Sequence, residues 1–108
     1  MWTYRAKVLN VVDADTIDLL IDLGFRLAFK TRVRLARIDA WEIKGEERAK
    51  GLIAKSFVEH HARVGSTVTV CTEKKGKFGR YIAEITLPNG DNLSDALVDN
   101  GHAHYQEY

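Results

Sequence analysis

β-Branched and apolar residues dominate two runs near the start of the chain, Tyr4 to Val12 and Thr16 to Leu23, broken at Asp13-Ala14-Asp15 and again at Gly24. Such runs bounded by turn residues read as strands, so two strands joined by an acidic turn are expected. A third run, Lys30 to Ile38, alternates Arg32, Val33, Arg34 and Leu35. Side chains alternate across a strand, so Val33 and Leu35 share one face and the two arginines the other. Arg34 is therefore expected to point away from the core pair.

Between Gly45 and Val64 the spacing changes to about 3.6 residues, the period of a helix. Ala49, Leu52, Ile53, Phe57 and His60 form the expected buried stripe, and Gly65 ends the segment. Glu46 and Glu47 fall in its first turn, where they favour the positive end of the macrodipole. Strands resume at Thr67 to Thr72 and Tyr81 to Leu87, around a hairpin loop whose glycines are Gly76 and Gly79. Pro88-Asn89-Gly90-Asp91 is a turn; Leu93, Ala96, Leu97 and Val98 mark a short helix that Gly101 ends, and His102 to Tyr108 is expected to be a tail. The order gives a mainly β fold with helices (α+β): a five-stranded Greek-key barrel of the OB type, with a helix between its third and fourth strands and a short C-terminal helix.

At 108 residues the chain is read as one domain, residues 1–108. It is 45% hydrophobic and 29% charged, with no segment apolar for long enough to span a bilayer, so no membrane partner is expected. The first residues lack the apolar stretch and small-residue cleavage site of a signal peptide, which makes a cytoplasmic location the expectation. A formal net charge of +1 excludes a polycation that binds nucleic acid indiscriminately, so any phosphate contact must be local. Cys71, the single cysteine, reads as a small buried strand residue. His60-His61 and His102-x-His104 lack the further ligands of a zinc site. Oligomeric state has no signature here.

Three separated clusters carry the chemistry: Asp13-Ala-Asp15, Arg34-Leu-Ala-Arg-Ile-Asp39-Ala-Trp-Glu42 and Lys77-Phe-Gly-Arg80. Hydrolysing a phosphodiester needs an oxygen-bound cation to polarise the phosphoryl group, a carboxylate for the attacking water, and guanidinium forks for charge growing on the phosphate oxygens. Each cluster also has a plainer reading. The two aspartates can make a tight acidic turn, Glu42 can be a helix-entry residue, and Arg80 can pair with Glu84 on the surface.

The same clusters resemble the staphylococcal nuclease (thermonuclease-like) family, in that family's order, from about Lys7 to Tyr105. The resemblance implies an OB-fold, calcium-dependent nuclease that hydrolyses DNA and RNA, single strands preferred, and leaves 3′-phosphate ends. It implies Asp15 and Asp39 as metal carboxylates, the Ala40 carbonyl as a further ligand to Ca2+, Glu42 as the group handling the water, and Arg34 and Arg80 on the scissile phosphate. Lys77, Phe78, Tyr81 and Tyr105 are the residues expected to bind substrate, the aromatic rings by stacking. Ala14 stands where the family usually has Gly, Trp41 where it usually has Pro, and the family's third, C-terminal helix is expected to be absent. The alternative is a non-catalytic OB-fold module that binds single-stranded nucleic acid or a protein partner. Glu42 among basic groups separates the two, because a module that only binds phosphate has no use for a carboxylate there.

Overall fold

The structure, a computed structural model, describes residues 2–75 and 81–106. Lys77, Phe78 and Arg80 lie outside the described residues. In chain order the elements are β1 (Trp2–Asp13), β2 (Thr16–Gly24), β3 (Leu27–Leu35), β4 (Ile38–Ala40), a single 3-10 turn (Gly45–Glu47), α1 (Arg48–His61), β5 (Thr67–Lys75), β6 (Tyr81–Thr86), α2 (Leu93–Asp99) and β7 (Ala103–Tyr105).

Five strands close a barrel in the order β1-β2-β3-β6-β5, with β5 returning to β1. All neighbours are antiparallel except β3 and β6, which run parallel and seal the barrel. This is the Greek-key order of an OB barrel. Its inside is filled by alternate residues of each strand, among them Val8, Ile17, Leu19, Val33, Leu35, Val70 and Ile85, all at most 1% exposed. Ala14 is fully buried at the β1–β2 turn and does not adopt a positive φ, so alanine meets no backbone strain there.

The third strand starts earlier than its sequence pattern suggests and stops at Leu35. Ala36 donates its N–H to Ala83 O at 2.9 Å, and Arg37 then turns the chain with a φ of 67°. A left-handed arginine is strained, and its side chain is correspondingly well held. Its guanidinium grips both oxygens of Glu84, at 2.7 and 3.2 Å, and reaches Asp95 at 3.1 Å. The hydrogen bond to Glu84, foremost, pushes its pKa further up. Glu84 is thus taken by Arg37, and the pairing of Arg80 with Glu84 weighed above falls on a residue outside the described ones.

Beyond that turn, Ile38–Ala40 leaves the barrel and pairs with Ala103–Tyr105 in a separate two-stranded sheet. Within the segment expected to be a tail, Ala103–Tyr105 is therefore a strand. Three residues are too few to display a period, and the ladder exists only because β4 offers an edge. Helix α2, capped by the Asn92 side chain accepting from Asp95 N–H at 3.0 Å, delivers the chain to β7. Its buried Ser94 hydroxyl donates to Ala36 O at 3.0 Å and so fixes α2 against the end of β3.

Helix α1 buries a different stripe from the one its large apolar residues suggest. Gly51, Ala54 and Val58 face the core, while Leu52 and Ile53 are 42% and 59% exposed. The cause is close approach. A Cβ on Gly51 would fall on the Glu42 carbonyl, 2.5 Å from its carbon and 2.8 Å from Ile43 N. Small side chains let the helix backbone sit against the segment after β4, and hydrophobicity alone does not reveal that preference. Cys71 differs too: it is half-buried on the outer face, where the Thr3 hydroxyl lies 3.8 Å from its sulfur. Among the described residues no helix is long and apolar enough to cross a membrane.

Replacing glycine by alanine inside a helix normally stabilises by about 1 kcal/mol. Here Gly51→Ala is expected to destabilise instead, by roughly 1–3 kcal/mol, because the backbone it meets cannot move without shifting Glu42. Urea denaturation of the two proteins checks the sign, and a more stable variant would contradict the packing described.

Candidate active site

Three elements bring the expected residues to one place. The β1–β2 turn carries Asp15, and the pairing of Thr16 with Arg34 sets that turn beside β3. The short β4 carries Asp39 and Ala40, and the segment after it carries Trp41 and Glu42. Together with Asp13, Thr16, Ile43 and Lys44, these residues line a cavity of about 370 Å³.

Arg34 is the centre of the arrangement. Its Nη1 lies 2.7 Å from Asp15 Oδ2 and its Nη2 3.3 Å from Asp39 Oδ1. Only 16% of its side chain and 15% of that of Asp15 are exposed, so the pair is largely removed from water, where charged hydrogen bonds are strong and loss of one partner is costly. Arg34 does point away from Val33 and Leu35, but into this cavity and not into solvent. Arg32, on the same face of β3, differs because Asp18 takes its fork at 2.8 and 3.3 Å.

Asp15 is held by more than its ion pair. Its Oδ1 accepts from the Thr16 hydroxyl at 3.1 Å and its Oδ2 from Ala40 N–H at 3.3 Å. That second bond ties the turn directly to β4. Asp13 stands behind it, and burial, followed by repulsion from Asp15, pushes its carboxyl above the ordinary value. Glu42 adds to that upward push, while Lys55 and Arg32 oppose it. Glu42 itself is exposed at the cavity rim, 3.4 Å from Lys44 Nζ.

The oxygens lining the cavity are hard donors of the kind that calcium takes. Among the described residues, no three His, Cys, Asp or Glu side chains converge closely enough to hold a metal ion unaided. A calcium site here would need the Asp15 and Asp39 carboxylates supplemented by carbonyl oxygen, water and substrate, which is an arrangement this ion accepts.

Two expected substrate contacts lie elsewhere. Tyr81 is half-buried, packs on the barrel core and meets Phe29 edge-on at 6.3 Å. Tyr105 donates its hydroxyl to Asp95 Oδ1 at 2.8 Å and stands 5.8 Å below the Arg37 guanidinium. Neither lines the cavity. For Tyr105 alternation along β7 is the cause, since His104, opposite Asp39, turns toward the site, its Nε2 3.9 Å from Asp39 Oδ2, and Tyr105 turns away. His104 was hidden in the sequence because the β4–β7 pairing was.

Trp41 offsets the missing proline in its own way. Its backbone N–H donates to His102 O at 3.4 Å, a bond proline could not make, and its indole Nε1–H donates to Gly101 O at 3.1 Å. The loop is fixed by hydrogen bonds in place of a locked φ.

Fold and site together define an OB-type barrel protein with an arginine braced by carboxylates at one end of the barrel. The family described as staphylococcal nuclease homologue matches residues 32–108, and the chain belongs to it. Over 106 residues it is 34% identical to a protein of Escherichia coli O157:H7 named "Uncharacterized endonuclease", which covers 96% of this chain and 63% of that relative. A protein of the same name from Escherichia coli matches with the same figures, and Protein ParB of Escherichia coli is 29% identical over 109 residues, 92% of this chain and 55% of its own. The chain thus spans less than two thirds of the length of these curated relatives. The family match starts at Arg32, after the acidic turn, whereas alignments that cover 96% of the chain extend across it.

The raised Asp13 pKa has a stability consequence. An acid that holds its proton better in the folded state favours folding at low pH and loses that contribution as pH rises past its folded pKa. In chelator, Asp13→Asn is therefore expected to raise the melting temperature at pH 7 and to leave it nearly unchanged at pH 3, where the aspartate is itself neutral. Thermal unfolding at both pH values checks this, and a lower melting temperature at pH 7 alone would show that the ionised carboxylate is stabilising.

Proposed function

We propose that the chain is a calcium-dependent nuclease, a phosphodiesterase that hydrolyses DNA and RNA, single strands preferred, and leaves 3′-phosphate ends. The observation that carries this reading is the Arg34 fork held between Asp15 and Asp39 in the wall of a cavity that Glu42 also lines. Family membership and the endonuclease names of two relatives support the reaction class.

Asp15, Asp39 and the Ala40 carbonyl would hold the calcium ion. Bound there, calcium would polarise the phosphoryl oxygen and offset phosphate charge. Arg34 presents a planar fork that stays charged at any working pH and can grip two phosphate oxygens, and its carboxylate partners preorganise it. Glu42, exposed at the rim, is the carboxylate free enough of other bonds to orient a water and accept its proton. That water attacks phosphorus, and the bond to the 5′ oxygen breaks, leaving phosphate on the 3′ side. Arg80 would favour the leaving oxygen, and Lys77 and Phe78 would hold the strand beside it. Tyr81 and Tyr105, being outside the cavity, would meet only nucleotides beyond the scissile phosphate.

Purified protein with calcium is expected to cleave a fluorescent single-stranded DNA, and chelator or Glu42→Ala to stop it. Arg34→Lys is expected to lower turnover by about 10²- to 10³-fold, the usual effect of removing one preorganised electrostatic group. Phosphatase treatment of the products checks for the 3′-phosphate. A strand that is bound but left whole with calcium, magnesium and manganese would replace this reading with the non-catalytic binding module.

A further inference from the structure

The acidic cavity shares a wall with a second hollow of about 240 Å³, lined by Trp41, Lys50, Ile53, Asn100, Gly101 and His102. Trp41 belongs to both. The two are opposite in chemistry. Carboxylates dominate the first, whereas the second has no acid in its lining and offers an indole, an apolar side chain and an ammonium group.

We propose that this second hollow is a subsite for a nucleobase of the strand whose phosphate occupies the acidic cavity, with Trp41 as the stacking surface and Lys50 as the counter-charge for the adjoining phosphate. The identity of the ligand rests on the nuclease reading given above.

Four features support it. First, Trp41 is rigid: hydrogen bonds from its indole to Gly101 O and from its backbone to His102 O fix the ring, so little freedom is lost when a base lies on it. Second, its face is reachable. The Lys50 ammonium lies 4.7 Å from the ring centroid, and lysine at an exposed helical position can swing off it. A base stacks on an aromatic face more strongly than an exposed ammonium does, so the base displaces Lys50, which then takes a phosphate oxygen. Third, Ile53 is 59% exposed on α1 and supplies an apolar edge, giving this otherwise unexplained side chain a contact. Fourth, Trp41 sits in the chain between Ala40 and Glu42, both lining the acidic cavity, so a base on its ring belongs to a nucleotide directly adjoining the bound phosphate. Such a site reads the presence of a base and little of its identity, because stacking is tolerant of sequence.

The test compares a short oligothymidylate with an abasic deoxyribose-phosphate strand of the same length, on the Glu42→Ala protein with calcium, so that the cation is present and both strands stay intact. Binding is read by anisotropy of the labelled strands, and by Trp41 fluorescence in a Trp2→Phe protein. The oligothymidylate is expected to bind about tenfold more tightly than the abasic strand and to quench Trp41 to saturation. Trp41→Leu is expected to shrink the difference between the strands severalfold, leaving what Phe78, Tyr81 and Tyr105 contribute, and Lys50→Gln to weaken both alike. Equal affinity of the Glu42→Ala protein for the two strands, or Trp41 fluorescence indifferent to the base, would overturn the subsite, and this comparison does not depend on any Trp41 variant folding. Cleavage with calcium is scored separately. A base preference accompanied by Trp41 quenching, without cleavage, keeps the subsite and removes the nuclease, and cleavage without Trp41 quenching does the reverse.

Discussion

A guanidinium shielded from water must be matched by negative charge, and Arg34 is matched by two carboxylates from different parts of the chain. That requirement fixes how three segments meet. Asp15 comes from the β1–β2 turn, Arg34 from the last part of β3, and Asp39 from the strand that leaves the barrel. The register that sets Thr16 against Arg34 is what brings the turn to the fork. A slip of one residue would turn Arg34 inward and Val33 outward, so the hydrophobic core and the site enforce the same alignment.

The segment from Asp39 to Ile43 is held from several sides. Ala40 N–H donates to Asp15, Trp41 is bonded to Gly101 and His102, and α1 presses Gly51 against the Glu42 carbonyl. Upstream, the left-handed Arg37 is secured by Glu84 and Asp95 and aims β4 at β7. The carboxylates therefore stand on a clamped frame, while Glu42 keeps an exposed side chain. This division suits a site in which charged groups are set in advance and one group must handle a proton.

The barrel was legible in the sequence because each of its strands is long enough to show its pattern. Val33 and Leu35 against Arg32 and Arg34 is one instance, and the acidic turn between two β-branched runs is another. What escaped was set by tertiary contact. The buried stripe of α1 departs from the one expected because Gly51 and Ala54 serve closeness and not hydrophobicity. β7 is invisible in the sequence because a strand of three residues has no period of its own. With it went the placement of His104 beside Asp39 and the outward turn of Tyr105. Asp15, Arg34 and Asp39 stand out in the sequence as charged residues in short motifs, and the structure brings them together, whereas the double bonding of Trp41 to the α2–β7 turn leaves no mark in the sequence.

The proposed function stands or falls on whether Asp15 and Asp39 act as one cation site, since every other proposed role is arranged around it. Calcium titration by calorimetry of the wild-type protein, Asp15→Asn and Asp39→Asn addresses this without reference to cleavage. A shared cation site predicts one calcium bound by the wild type and its loss in both variants, with the folded state intact by circular dichroism. Unchanged calcium binding in either variant would contradict it.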